Sequence, residues 1–177
     1  MLSYNPSASN RLQVESERRS LLTRQALVDW IKPSFAPTDC FVTLTYPDYV
    51  KYQEVERSAD VTQFLKRLNR KVFGKGAEIG KKRLKSCPIF EFNVSDGLHL
   101  HMLLEKPTDA PRLEQTFEHT VIDTWTKMKR GGVAMAQDVR SCLNTVDRLI
   151  YQTKQIKSGD TLTRVDFLNL HLTTVEV

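Results

Sequence analysis

The spacing of apolar positions along the chain switches repeatedly between the period of about 3.6 residues typical of helices and the period of two typical of strands. Helical spacing predicts amphipathic helices over about 17–31, 60–74, 112–128 and 142–156. Alternating or β-branched runs predict strands over about 41–46, 88–94, 98–104 and 133–139, with a further strand or hairpin over 161–174. This order predicts an α+β fold in which helices flank a central, mainly antiparallel sheet of about five strands, related to the ferredoxin and RRM arrangement.

Residues that start or stop regular structure support these boundaries. Pro33 follows the first helix and Pro47 follows the first strand, and proline continues neither kind of element well. Asp60 and Ser141 carry the side-chain oxygens expected to cap the second and the last helix. The turn formers Ser-Asp-Gly at 95–97 predict a hairpin between the two strands that they join.

The composition is that of one globular domain. The chain has 177 residues, of which 40% are hydrophobic and 27% are charged. We expect a single domain over 1–177, with an N-terminal extension and its helix over 1–40, a core over 41–156 and a C-terminal strand or tail over 157–177. The chain has no run of about 18 apolar residues, no apolar signal-peptide core and no clustered cysteines. We therefore expect no membrane partner and a cytoplasmic location, in a bacterium or in the interior of a host cell.

Positive charge is concentrated in one segment of the chain. The formal net charge is +5, yet residues 66–85 alone contain nine basic residues and a single acid, Glu78. The basic residues are Lys66, Arg67, Arg70, Lys71, Lys75, Lys81, Lys82, Arg83 and Lys85. The segment is either a solvated helix face with the loop that follows it, or a surface that binds a polyanion such as nucleic acid.

Two histidines occupy alternate positions of the strand predicted over 98–104. His99 and His101 therefore share one face of that strand, while the leucines between and beside them take the other. If the turn at 95–97 forms a hairpin, Glu91 and Asn93 of the preceding strand lie on the same face as the histidines. A carboxylate with two imidazoles suits Mg²⁺ or Mn²⁺, and also zinc. The alternative is an ordinary half-exposed strand without a ligand.

A tyrosine lies on the polar side of the last predicted helix. Helical spacing places Leu143, Val146, Leu149, Ile150 and Thr153 on or near the side that faces the core. The opposite stripe contains Asn144, Asp147, Tyr151, Lys154 and Gln155. A phenol one turn from an ammonium group suits covalent phosphoryl transfer, in which the phenol attacks a phosphate. The alternative is a surface tyrosine that covers the helix.

The order of three motifs resembles that of the HUH endonuclease superfamily, in particular the single-tyrosine rolling-circle replication initiators (Rep proteins) of phages, plasmids and small single-stranded DNA viruses. The first motif matches 41–46, the histidine motif matches His99-Leu100-His101, and the Tyr-x-x-Lys motif matches Tyr151 to Lys154. The acidic ligand that several Rep families place upstream of the histidines falls on Glu91. The resemblance covers about 41–155 and makes 41–156 the catalytic core.

This resemblance implies a metal-dependent nuclease. Glu91, His99 and His101 would hold one Mg²⁺ or Mn²⁺ ion, which would polarise the scissile phosphate of single-stranded DNA. Tyr151 would attack that phosphate, leaving a 5′-phosphotyrosine link and a free 3′-hydroxyl group, and Lys154 would position or activate the reacting groups. A later strand attack would rejoin the DNA without ATP.

The resemblance also assigns supporting roles and partners. Thr43 and Thr45 would support the sheet beneath the site, and the nine basic residues of 66–85 would contact the DNA backbone. The DNA partner would be a single-stranded origin with a stem-loop, and a host polymerase would extend the 3′-hydroxyl group. Strand separation would come from a host helicase, unless the chain is a nuclease domain of a longer protein. With Tyr151 as the single tyrosine, a second transfer would need another protomer or another acceptor.

Two other interpretations stay open. Single-tyrosine HUH transposases place a glutamine ligand four residues after the tyrosine, where this chain has Gln155, so a transposase or relaxase is an alternative with Gln155 as a further metal ligand. The second alternative is a non-catalytic nucleic-acid-binding module on an RRM-like sheet. The aromatic cluster of such modules is missing, and its nearest candidates, Phe90 and Phe92, are expected to face the core.

Overall fold

The computed structural model describes residues 8–47, 54–78, 80, 82–93, 97–108, 110, 112–154, 156 and 164–172. Its strands are β1 (Cys40–Thr45), β2 (Ser86–Asn93), β3 (Gly97–Leu104) and β4 (Asp138–Ser141). Its helices are α1 (Ala8–Ile31), α2 (Glu54–Phe73), α3 (Lys75–Glu78), α4 (Phe117–Thr126) and α5 (Thr145–Thr153). Short 3-10 turns cover Lys32–Ser34, Ala134–Ala136 and Phe167–Asn169. The α+β class predicted from the sequence is confirmed.

The strands form one antiparallel sheet in the order β2-β3-β1-β4. The predicted hairpin of β2 and β3 is confirmed, but within the described residues the sheet has four strands rather than about five. In the described part of the C-terminal segment, residues 164–172, two isolated antiparallel bridges join the edge of β2, between Ile89 and Val165 and between Ser86 and His171, and the rest of the strand predicted over 161–174 lies outside the described residues. The 3-10 turn Phe167–Asn169 lies between these bridges and interrupts the strand that the alternation predicted.

The strand predicted over 133–139 begins later than expected. A 3-10 turn covers Ala134–Ala136, and β4 starts only at Asp138. The side chain of Gln137 explains the delay, because its Oε1 accepts a hydrogen bond from the backbone N–H of Thr45 at 2.7 Å. The side-chain amide thus replaces the strand carbonyl that would otherwise pair with β1 at this position.

Two predicted helix caps are wrong. Asp60 lies inside α2 and faces Arg130, with 3.5 Å between carboxylate and guanidinium, because the helix begins upstream at Glu54. Ser141 is the last residue of β4, and Asn144 caps α5 instead. The Oδ1 atom of Asn144 accepts from the backbone N–H groups of Val146 and Asp147 at 3.1 and 3.3 Å. Asparagine is as good a cap as serine, so residue type alone did not distinguish them.

The first and fourth helices also differ in extent from the prediction. The polar stretch before Glu17 is helical, since α1 begins at Ala8, and its residues 11–19 are exposed on all sides. Helix α4 begins at Phe117 rather than near 112, after the side chain of Thr116 accepts a hydrogen bond from His119 N–H at 3.2 Å. Among the described helices, no segment is long and apolar enough to cross a membrane.

The sheet is covered on both faces, and this arrangement decides where the polar residues of the strands lie. One face packs against α2 and α4 and carries Val42, Leu44, Leu100 and Met102. The other face packs against α1 and α5 and carries Phe41, Ile89 and Leu103. Since side chains alternate along a strand, His99 and His101 lie on the second face, on the side of α5.

Candidate active site

The hairpin register places Glu91, His99 and His101 together on the second face of the sheet. Glu91 stands opposite His99 in the β2–β3 ladder, and His101 lies two residues further along β3. The Nε2 atom of His101 is 2.7 Å from Oε2 of Glu91, and the two imidazole rings are nearly parallel with centroids 6.3 Å apart. The three residues singled out from the sequence therefore form one cluster.

Strand β1 holds both imidazoles through threonine hydroxyls. Thr43 pairs with His101 and Thr45 pairs with His99 in the β1–β3 register. The Oγ1 atoms lie 3.1 and 3.2 Å from the respective Nδ1 atoms. The sequence predicted that the two threonines support the sheet beneath the site. In the structure they also contact the histidines directly. Because each Nδ1 atom has a threonine partner, the Nε2 atoms are the nitrogens left to face a ligand.

Burial increases along β3 from His99 to His101. His99 is half-buried, whereas the side chains of His101 and Glu91 are 6% and 9% exposed. Burial lowers the pKa of His101, and this effect outweighs the hydrogen bond and negative charge of Glu91, which raise it. His101 is therefore neutral at neutral pH. In the neutral ring Nε2–H donates to Glu91, and Nδ1 accepts from the Thr43 hydroxyl.

Lys154 connects Glu91 to Tyr151. Its Nζ atom is 3.3 Å from Oε1 of Glu91 and 3.9 Å from the centroid of the Tyr151 ring. Burial alone would lower the pKa of Lys154, but its hydrogen bonds to Tyr151 and to Glu91 prevail and raise it. The ammonium is therefore charged, and it lies between the carboxylate and the phenol.

Helix α5 brings the ring of Tyr151 against the histidines. The centroids of the Tyr151 and His101 rings are 5.7 Å apart, with the rings at 81° to each other. The tyrosine is 46% exposed, so an incoming substrate can reach it. The backbone carbonyl of Lys154 accepts a hydrogen bond from Nη1 of Arg24 at 3.2 Å, which ties the end of α5 to α1.

The buried side of α5 differs in part from the predicted one. The buried positions are Thr145, Leu149, Gln152 and Thr153. Ile150 is 52% exposed and Leu143 is 84% exposed, whereas Gln152 is 2% exposed. The observed helix begins at Thr145, so Leu143 lies before its first turn. The helical spacing assumed in the prediction therefore does not apply to Leu143. Among the described residues, the side chain of Gln152 has no hydrogen-bond partner at either polar atom.

Two residues near the site escaped the sequence analysis as site residues. The ring of Phe41 stacks on that of His101 with a centroid distance of 5.8 Å and also meets the edge of Tyr151 at 6.2 Å. The guanidinium of Arg148 lies 5.1 Å from the Phe41 centroid. Strand alternation places Phe41 on the face of Thr43, and helical spacing places Arg148 one turn before Tyr151. Both residues could therefore have been predicted to lie near the site.

The donor types suit a divalent cation, but the present arrangement does not bring them together around one point. Two imidazole Nε2 atoms and a carboxylate form a mixed nitrogen and oxygen set. In the part of the chain that the structure describes, no group of three His, Cys, Asp or Glu side chains is placed to hold a metal ion. Glu91 instead bonds directly to His101 and Lys154. Gln155, the further candidate ligand, lies outside the described residues.

The described basic residues of 66–85 do not line this site. Lys66, Arg67, Arg70 and Lys71 lie on the exposed side of α2, which packs on the opposite face of the sheet. Lys71 pairs with Asp123 at 3.0 Å, and Lys85 pairs with Glu105 at 3.7 Å. Lys75, Lys82 and Arg83 are exposed beyond the end of α2. Lys81 lies outside the described residues.

One aromatic position differs from the sequence prediction. Phe90 is buried as expected, but Phe92 is 54% exposed. Phe92 pairs with Leu98 near the end of the hairpin. A single exposed ring does not amount to the aromatic cluster of an RRM sheet.

Comparison with known protein families gives a match over the core of the chain. The family model of the replication-associated protein ORF2 matches residues 39–156, about two thirds of the chain. These bounds enclose β1 to α5 and every residue of the site described above. No curated protein and no solved structure matches the chain.

Proposed function

The chain belongs to the family of the replication-associated protein ORF2, and on this basis we propose that it initiates replication by nicking and rejoining single-stranded DNA through Tyr151. One observation carries the proposal, namely the bridge that Lys154 forms between Glu91 and the Tyr151 ring, at 3.3 and 3.9 Å. An exposed phenol, a charged ammonium and the histidine cluster thus lie side by side, as transfer of a phosphoryl group to tyrosine requires.

In the proposed reaction the phenol oxygen of Tyr151 attacks the scissile phosphorus. A bond forms between this oxygen and phosphorus, and the bond from phosphorus to the 3′-oxygen breaks. The phenol loses its proton, and the departing 3′-oxygen takes up a proton to become a hydroxyl group. The 5′-phosphate remains on the tyrosine, so the free energy of the broken bond is conserved and rejoining needs no ATP. A host polymerase can extend the 3′-hydroxyl group.

Lys154 serves this step by its charge. The ammonium lies over the Tyr151 ring, so it stabilises the negative charge that develops on the phenol oxygen and the phosphate. Glu91 holds the other side of the same ammonium and restricts its position. The contacts fit the expectation that Lys154 positions or activates Tyr151.

Glu91, His99 and His101 are the residues that would hold Mg²⁺ or Mn²⁺. A bound divalent cation would supply Lewis-acid polarisation of the scissile phosphate. The neutral state of His101 suits ligation, and the Thr43 hydroxyl can accept from Nδ1–H once Nε2 has given up its proton. The carboxylate of Glu91 must then turn away from His101, since both of its oxygens are engaged.

The proposed partners are a single-stranded origin DNA with a stem-loop, together with a host helicase and polymerase. The basic residues of 66–85 are proposed to contact the DNA backbone, although those on α2 lie on the other face of the sheet from Tyr151. The family match favours replication over transposition or mobilisation. A role as a binding module alone would leave the bridge between Glu91, Lys154 and Tyr151 without a use.

The test is formation of a covalent protein–DNA adduct. The protein is incubated with a pool of stem-loop oligonucleotides and Mn²⁺, and a denaturing gel then detects DNA that stays attached. We expect an adduct with the wild type and none with Tyr151→Phe, which should still bind the DNA. A wild type that binds the pool and forms no adduct would contradict the nuclease proposal.

A further inference from the structure

A cavity of 520 Å³ lies beside α2, on a part of the molecule that the candidate active site does not use. Its lining combines residues of α2 with Arg83 and with the C-terminal segment at 168–171. We call it the α2 cavity. A volume of this size is in the range of small-molecule sites and can admit one nucleotide.

The charge of the α2 cavity favours an anion. Lys66, Arg70 and Arg83 contribute cationic side chains, and none of the described residues that line the cavity is acidic. A neighbouring groove of 420 Å³ shares Arg70 and adds Arg67, Lys71 and Lys127. Its ammonium groups on Lys71 and Lys127 already bind Asp123, so the α2 cavity is the better anion site of the two.

Neutral donors and apolar walls complete the lining. The Oδ1 atom of Asn69 accepts from Leu84 N–H at 2.8 Å, which leaves the Nδ2 group of this buried side chain to donate to a ligand. His171 is fixed to the edge of β2 by two backbone hydrogen bonds with Ser86 of 2.8 Å each. Leu65 and Leu168 add apolar surface. A nucleotide would use all three kinds of group, since its phosphate oxygens suit the cationic side chains and the amide donor and its flat base suits the apolar surface.

The sheet separates this cavity from Tyr151. Helix α2 packs on the face opposite to the histidines, and His171 joins β2 at Ser86, five residues from Glu91. At about 3.4 Å per residue this is roughly 17 Å along the strand alone. A DNA strand that reaches from Tyr151 to the cavity must cover that distance and also pass around the edge of the sheet.

We propose that the α2 cavity binds a nucleotide of the same DNA at a position remote from the cleaved phosphate, as a second and independent nucleic-acid site. The inference rests on the proposed function for the identity of the DNA as the partner. It assigns Lys66, Arg83 and the C-terminal residues His171 and Leu168 to DNA binding and separates them from cleavage.

The test compares two matched pairs of charge removals. Lys66→Ala/Arg83→Ala removes two cations from the cavity lining, and Lys32→Ala/Arg18→Ala removes two exposed cations of the α1 region on the other side of the sheet. Binding of a fluorescein-labelled thymidine 30-mer is followed by anisotropy in EDTA, in the Tyr151→Phe background, so that no cleavage occurs. Thermal melts of all variants verify that the fold is kept.

We expect the cavity pair to weaken binding about tenfold and to lower the slope of log K against log salt by about 1.4, at roughly 0.7 per lost phosphate contact. The control pair should leave both nearly unchanged. Equal affinities and slopes for the two pairs would overturn the proposal. Adduct formation is measured separately, so a protein that binds through the cavity and forms no adduct contradicts the nuclease proposal alone.

A second arm identifies the occupant. Thymidine 3′,5′-bisphosphate is titrated into the protein while the ring signals of the four histidines are followed by NMR. We expect saturable shifts of the His171 signals in the wild type and in the control pair, and none in the cavity pair. Shifts of His171 without any effect of the cavity pair on the 30-mer would show a site for free nucleotides and overturn the DNA assignment.

Discussion

The hydroxyl of Thr43 lies 3.1 Å from Nδ1 of His101 across the β1–β3 ladder. Thr45 makes the same contact with His99, two residues further along the same pair of strands. The pattern Thr-x-Thr on one strand thus matches His-x-His on its neighbour. The first strand acts as the second layer of the site, because its hydroxyls fix the ring orientation of both imidazoles.

Thr43→Val should weaken binding of Mn²⁺ roughly 10- to 100-fold, since loss of an outer partner of a ligating histidine typically costs this much. Isothermal titration of the protein without DNA measures the affinity. Thr43→Ser keeps the hydroxyl and serves as the matched control, with near-wild-type affinity. Unchanged metal binding in Thr43→Val would show that the threonine has no part in orienting a ligand.

Lys154→Met should slow adduct formation about 100-fold in single-turnover experiments, because the ammonium stabilises charge that develops in the transition state. The global stability should change by less than about 1 kcal/mol, as the Lys154 side chain is 41% exposed in its pair with Glu91. Lys154→Arg retains the charge and should keep part of the rate. A large drop in melting temperature with an unchanged rate would instead indicate a structural role.

Gln152→Leu should stabilise the protein by about 1 kcal/mol, because it removes a buried amide that has no hydrogen-bond partner within the described part of the chain. Differential scanning calorimetry should show a rise of about 2–4 °C in Tm. Gln137→Met is the contrasting variant, since Gln137 is also buried but bonds to Thr45 N–H and to the Val133 carbonyl. It should lose about 1–3 kcal/mol. If both changes destabilise the protein, the Gln152 side chain contributes to stability and the prediction is wrong.

The ion pair of Lys106 and Glu118, 2.6 Å apart, predicts a modest dependence of stability on pH. The hydrogen bond from Lys106 lowers the pKa of Glu118 below its usual 4.5, and the same bond raises the pKa of Lys106 above 10.5. The stabilisation is therefore complete between about pH 4.5 and 10.5. It is lost as pH falls through the lowered pKa of Glu118 or rises through the raised pKa of Lys106.

Glu118→Gln should remove the acid limb of this dependence. Urea unfolding between about pH 3 and 7 should show a wild-type advantage of less than about 1 kcal/mol at neutral pH that vanishes in acid, since both side chains are partly exposed. The exposed Glu114, changed to Gln, is the control and should leave the profile unaltered. A constant difference at all pH values would assign the effect to packing.

The elements with strong periodicity could be predicted, and those that depend on side-chain competition could not. The hairpin of β2 and β3 followed from alternation and a turn signal, and the histidine face followed from it. The start of β4 did not, because the amide of Gln137 takes the place of a strand carbonyl. Nor did the cap of α5, where Asn144 and Ser141 are chemically similar candidates.

The sequence by itself determined which residue types occur in which order, and hence that Glu91, His99 and His101 share one face of a hairpin. Only the tertiary structure decided that α5 packs on that face and α2 on the other. This choice places Tyr151 and Lys154 against the histidines and the basic residues of α2 away from them. The physical reason is that an amphipathic helix specifies the side it buries, whereas the sheet face that it covers depends on long-range packing and chain connection.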